Sequence, residues 1–170
     1  MSDSLKKISD MTALMQRYCS MREYCANDIR KKLKTRGCDP DETEVVIKKL
    51  VEGRFIDEER YCTAFVRDKS SLSGWGGRKI EFALKNKGLD SGTIKAALES
   101  LDHEAGVKVL ERVIKRKFEE LMNRRVNSEE DKAKIRERVI RFALTRGFSY
   151  EEILKVFNKT MANFEAGKKE

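Results

Sequence analysis

Three glycines in this chain each close the same phrase, and that repetition restricts the fold more than any other feature. The phrases are IRKKLKTRGCDPDE around Gly37, IEFALKNKGLDSGT around Gly88 and VIRFALTRGFSYEE around Gly147. Eight and four residues before the glycines stand Ile29 and Leu33, Ile80 and Leu84, and Val139 and Ala143, each pair on one stripe of an α-helix. A cation, Arg36, Lys87 or Arg146, precedes each glycine, as suits the negative end of a helix dipole. The glycine can take the left-handed backbone that ends a helix.

Beyond each glycine another helix begins. Cys38, Leu89 and Phe148 are apolar, and Asp39, Asp90 and Ser149 are N-cap residues. Glu42 and Glu152 complete capping boxes, and Pro40 occupies the first helical position, where its missing N–H costs nothing. Leu89 with Ile94, and Phe148 with Ile153, have hydrophobic-staple spacing. The positions six, nine, ten and thirteen after the glycine read Thr43, Val46, Ile47, Leu50, then Ile94, Ala97, Leu98, Leu101, then Ile153, Val156, Phe157, Thr160. The same buried face is predicted three times.

The glycines are 51 and 59 residues apart, which leaves room for one further helix in each unit. MTALMQRYCS, residues 57 to about 71, and residues 103 to about 123 fill those places. The sequence therefore predicts an all-α chain of three tandem three-helix repeats, at 1–52, 53–101 and 102–165, with 166–170 as a disordered tail. A monomer is expected, because each repeat can bury its stripe against its own helices and its neighbour. In LVEGRFIDEERY, Gly53 comes after one helix, Asp57 caps the next and Ile56 staples to Tyr61. Glu58 and Glu59 then sit at the positive helix end, so the acidic run reads as a helix start and not as catalytic carboxylates.

Little else points to chemistry. SGWGGRKIE lacks the hydroxyl and the strand context of a phosphate-binding loop, and reads as a flexible link with Trp75 as a packing anchor or partner contact. Cys19, Cys25, Cys38 and Cys62 have no paired close spacing, and the one histidine, His103, is far from them and suits a helix first turn. The cysteines are expected as reduced core residues. No metal, cofactor or catalytic role is called for. The opening residues lack a secretory pattern and no run approaches a bilayer span, so a soluble, cytoplasmic protein without membrane contact is expected.

The charge is more informative. Lys and Arg number 37 against 29 Asp and Glu, a net +8 that favours polyanions or acidic protein surfaces. The cations concentrate on the second helix of each unit or its approach. Candidate partner- or nucleic-acid-binding residues are Arg22, Arg30, Lys31 and Lys34, then Arg67, Lys69, Trp75, Arg78, Lys79 and Lys85, then Lys132, Arg136 and Arg141. Arg30, Lys31, Lys34, Lys79 and Lys85 lie off the buried stripes, with Arg78 at the helix entry. A solvated face explains such a pattern as well as a binding face does.

The linked stretches MREYCANDIRKKLKTRGCD, LVEGRFIDEERYCTAFVRDK, GGRKIEFALKNKGLD and RFALTRGFSYEEI together resemble the RecX regulators of the RecA recombinase, over about residues 12 to 158. Cys38 stands where that family usually has Phe, Cys62 where a small Ala is common, and Ala143 where Leu is usual. The resemblance implies an elongated, curved array of the three repeats. It also implies a non-enzymatic partner of RecA, most simply seated in the groove of the RecA filament on single-stranded DNA. Its implied effect is inhibition or modulation of strand exchange, ATP hydrolysis and coprotease activity, with weak direct DNA binding beside it. A stand-alone DNA- or RNA-binding protein is the alternative, and would bind with steep salt dependence when RecA is absent.

Overall fold

A computed structural model describes residues 2–123 and 129–166. Its elements are all helices among those residues: α1 (Ser2–Met21), α2 (Ala26–Thr35), α3 (Pro40–Glu52), α4 (Glu58–Ser71), α5 (Gly77–Asn86), α6 (Ser91–Glu99), α7 (His103–Met122), α8 (Glu129–Thr145) and α9 (Tyr150–Ala166). The expected tail lies outside the described residues except for Ala166, which ends α9.

The glycine phrases form as their spacing predicts. Gly37, Gly88 and Gly147 have φ of 75°, 81° and 91°. Their amides donate to the carbonyls of Lys34, Lys85 and Leu144 at 3.0, 2.9 and 2.9 Å. The next amides, of Cys38, Leu89 and Phe148, reach back to the carbonyls of Leu33, Leu84 and Ala143 at 3.1, 3.4 and 3.4 Å. This is the Schellman closure, made three times. All six stripe residues before the glycines are completely buried. Asp39 and Glu42 exchange backbone bonds of 2.8 and 3.0 Å, and Ser149 and Glu152 exchange bonds of 3.2 and 2.8 Å, so both capping boxes are present. On the three faces beyond the glycines, Leu98, Leu101 and Thr160 are only half-buried and mark the edges.

Two local details are not legible in the sequence. Helix α1 begins at Ser2, well before Met11, because Lys7 donates to the Gly37 carbonyl at 2.9 Å and pairs with the buried Glu42 at 2.5 Å. Lys7 holds the Glu42 carboxyl below its usual range, helped by the Asp39 amide. At the end of α3 the left-handed residue is Arg54, with φ 56°, and not Gly53, which has φ −80°. Phe55 and Arg54 amides close the same cap onto Leu50 and Val51, at 2.8 and 3.0 Å. An arginine there carries a steric cost of roughly 1 kcal/mol that glycine avoids. Arg54→Gly is therefore expected to raise stability by about 0.5–1 kcal/mol, read as a higher urea midpoint with an unchanged slope.

The chain packs into two compact units, 1–65 with 84–97, and 66–83 with 98–170. In the first, α1 and α2 pack on α3 around Ile8, Met15, Ile29, Leu33, Val46 and Leu50. In the second, α7, α8 and α9 pack on one another around Leu110, Ile114, Val139, Ala143, Ile153 and Phe157. Cys25, Cys38 and Cys62 are buried free thiols and Cys19 is half-buried. Burial raises all four thiols, Cys62 to about 11, so they remain protonated near neutral pH.

The first unit holds one polar knot. Lys87, which the sequence marks only as a dipole partner, reaches Asp28 at 2.7 and 2.9 Å, and the Tyr61 hydroxyl donates to the same carboxylate at 3.2 Å. Burial pushes Asp28 up, but the bonds and charge of Lys87, with Cys25 and Tyr61, outweigh it and hold the carboxyl low. Burial and the Asp28 charge push the Tyr61 phenol well up. A carboxyl with a depressed folded pKa stabilises above its unfolded pKa, and that contribution disappears as pH falls through the folded value. Asp28→Asn is expected to cost about 1–3 kcal/mol at pH 7, since it leaves a half-buried ammonium without its counter-charge. The gap between parent and variant urea midpoints should shrink below about pH 4; a gap that stays constant to pH 2 would disprove the linkage.

The second unit is closed by glycine. Gly74, at φ 64°, and Gly76 are buried, the Gly76 amide donates to the Arg146 carbonyl at 2.7 Å, and the Arg78 amide donates to the Gly147 carbonyl at 3.2 Å. A Cβ on Gly76 would lie 2.5 Å from the Gly147 carbonyl carbon, and one on Gly147 would lie 2.5 Å from the Lys79 amide nitrogen. SGWGG is thus not a flexible link. It is a backbone-to-backbone joint that only residues without side chains permit.

Candidate partner-binding surface

The residues that could meet a partner differ in what already compensates their charge. Arg30, expected to project away, forms a two-pronged pair with Glu44 at 2.7 and 3.1 Å, which holds its pKa up. Arg67 lies against Asp68 at 3.2 Å, and Arg141 pairs with Glu137. These cations spend part of their field locally. Surface pairs of this kind add little to stability.

Other cations rest on aromatic rings, which fix the side chain without cancelling its charge. In the first unit, Arg22 lies 4.5 Å from the Tyr24 centroid, Lys32 lies 4.6 Å from that of Tyr18, and Arg36 donates to the Tyr18 hydroxyl at 2.9 Å. Tyr18 and Tyr24 themselves meet edge-on at 6.4 Å. Lys31 and Lys34 stand exposed on α2 beside this cluster. The sequence does not single out Lys32 and the two tyrosines, and marks Arg36 only as a dipole partner, because only the fold brings the end of α1 to α2.

In the second unit Trp75 is half-buried, with Lys69 at 5.0 Å and Lys79 at 4.8 Å from its ring. Lys79 also donates to the Thr145 carbonyl at 3.3 Å, so it is not the solvated position that its place off the stripe suggests. The backbone joint draws α5 in, and the lysine stem goes with it. Outside that joint, α5 presents Arg78 and Phe82 and, where the same helix continues into the first unit, Lys85, all exposed and spaced four and three residues apart along one helix face. Phe82 is 67% exposed and is absent from the thirteen candidates, although its position off the Ile80–Leu84 stripe is a usable signal. An exposed aromatic flanked by cations has the make-up of an interface anchor. On α8, Lys132 is exposed and Arg136 lies 5.8 Å from the Phe157 centroid. Within each unit the candidates are thus spread over more than one helix.

Among the described residues no helix is long and apolar enough to cross a membrane. Residues 14–50 match the family pattern described as RecX, first three-helix domain, and residues 57–98 match RecX, second three-helix domain. A regulatory protein RecX from Clostridium botulinum (strain Eklund 17B / Type B) is 30% identical over 96% of this chain and 77% of its own length. Its counterpart in Yersinia enterocolitica is 26% identical over 89% of this chain and 98% of its own. Against a Clostridium tetani relative at 29% identity, the chain spans 57% of the relative's length. The crystal structure of RecX from Lactobacillus salivarius superimposes with a TM-score of 0.75 at 20% identity, covering 95% of this chain and 99% of that one. A second RecX crystal structure gives 0.75 at 22%, covering 92% and 74%. Two three-helix patterns in order, a shared all-helical fold and a relative 30% identical along nearly the whole chain make one statement: the chain belongs to the RecX family.

Proposed function

We propose that this chain regulates RecA by binding the RecA filament on single-stranded DNA, lowering its ATP turnover and strand exchange and its coprotease activity. It acts as a cytoplasmic monomer with no catalysis of its own, built as three tandem three-helix repeats at 1–52, 53–101 and 102–165. The observation that carries the reading is the outward face of α5, where Arg78 and Lys85 flank the exposed Phe82. That face combines charge for an acidic polymer with an apolar anchor for a protein surface. The curated relatives, each named a regulatory protein, support it. Repeated weak contacts along a polymer add through effective concentration, so no single deep site is required.

The test has two arms. Co-sedimentation with preformed RecA filaments is compared with bare single-stranded DNA at the same salt, and ATP turnover by the filaments is tracked as the protein is added. Retention on filaments above that on bare strand, with falling turnover, is expected. Unchanged turnover at saturating protein would end the regulatory reading. Equal retention on bare strand would favour a stand-alone nucleic-acid binder.

A further inference from the structure

One cluster of cations in the second unit lies outside the thirteen candidates. A cleft of about 600 Å³ opens between the end of α4, α7 and the last turn of α8. Arg112, Arg116, Lys117 and Arg146 line it, with Glu120 as the one acidic side chain. Two of the guanidiniums are held by backbone: Arg112 donates to the Ser71 carbonyl at 2.6 Å and Arg146 to the Ser73 carbonyl at 3.0 Å. A carbonyl fixes a guanidinium without neutralising it, and each guanidinium keeps further N–H donors for another acceptor. Arg116 has no carboxylate partner among the described residues. Lys117 alone is paired, with Glu120 at 2.9 and 3.0 Å, and it and Arg146 lie 5.1 and 4.9 Å from the Phe142 centroid.

We propose that this cleft is a binding site for the phosphodiester backbone of a single nucleic-acid strand. It goes beyond the regulatory reading, because it assigns direct strand binding to one cleft and to cations outside the thirteen candidates. The donors are mainly guanidiniums, whose planar forks match pairs of phosphate oxygens. Two of them are immobilised before any ligand arrives, which reduces the ordering cost of binding. The volume suits an extended ligand more than a single ion. Leu72, 82% exposed, borders the cleft, and Val113 and Phe142 line it. Fixed cations next to apolar surface suit a polymer that carries a phosphate and a base in every unit.

The test is fluorescence anisotropy of a labelled oligo(dT) with the whole chain, over a range of salt, using Arg116→Glu, Arg112→Gln/Arg116→Gln and the charge-keeping Arg116→Lys. Folding of each variant is checked by the unfolding midpoint from Trp75 emission. Loss of two phosphate contacts should lower affinity about tenfold or more and reduce the slope of log K against log salt by about 1.4. Arg116→Lys should keep most of the binding. Unchanged affinity and slope in the folded double variant would overturn the site, as would a parent that does not bind the bare strand. A poly-glutamate peptide that competes as well as unlabelled oligo(dT) would overturn the nucleic-acid assignment in favour of an acidic protein segment. Inhibition of RecA turnover is measured on the same variants, so the cleft can fail while the regulatory reading stands, or the reverse.

Discussion

Gly147→Ala is expected to destabilise the second unit by more than about 3 kcal/mol, the size reserved for steric conflict in a packed interior. Gly37→Ala and Gly88→Ala should each cost only about 1–2 kcal/mol. All three glycines have left-handed φ, so the backbone penalty is common to them. The difference is what a side chain would meet. A Cβ at Gly37 or Gly88 has nothing within 4 Å, whereas at Gly147 it would run into the Lys79 amide and Cβ. Backbone cannot step aside as a side-chain tip can, so relief requires α5 and the end of α8 to separate. Gly76→Ala presses the same joint from the other side and should behave alike. Trp75, the only tryptophan, sits next to the joint and reports it directly. Equal losses of midpoint at Gly37 and Gly147 would show that the joint contributes nothing.

The second large effect concerns binding. Arg78→Glu/Lys85→Glu should weaken association with RecA filaments about ten- to a hundredfold at low salt, because attraction toward an acidic polymer becomes repulsion at two points. Stability should change by less than about 0.5 kcal/mol for each exposed substitution. Lys79 is left out of this variant deliberately. Its stem is part of the glycine joint and its ammonium lies over Trp75, so its reversal would confound packing with binding. Phe82→Ala should add to the loss without altering salt dependence, since it removes apolar contact and no charge. If the folded double variant inhibits RecA turnover as well as the parent, the outward face of α5 is a solvated face and the proposed contact lies elsewhere.

The candidate surface is only partly legible in the sequence. Helical period alone places the cations of α2 and α5 off the buried stripes. It does not place their partners: Arg30 finds Glu44 on α3, and Arg36 finds Tyr18 on α1. Such pairings join residues whose sequence neighbours carry no mark of the contact. Arg112, Arg116 and Lys117 read as ordinary solvated positions of a long helix, and become a cleft only when the segment 71–74 and the end of α8 arrive beside them.

What the sequence determined by itself was most of what bonds a few residues long govern, the left-handed cap at Arg54 excepted. The helix ends at the three glycines, their Schellman closures and both capping boxes depend on local dihedral preference and on polar side chains within reach of nearby amides. The stripes are equally local, because a period near 3.6 allows one apolar face and no other. Only the tertiary structure decided that Gly76 must meet Gly147 and that Lys87 belongs to Asp28. In both cases the deciding energy comes from atoms far apart in the chain: Gly76 meets Gly147, and Lys87 meets Asp28 across 59 residues. Periodicity records which face is buried, and steric fit across that face selects what buries it.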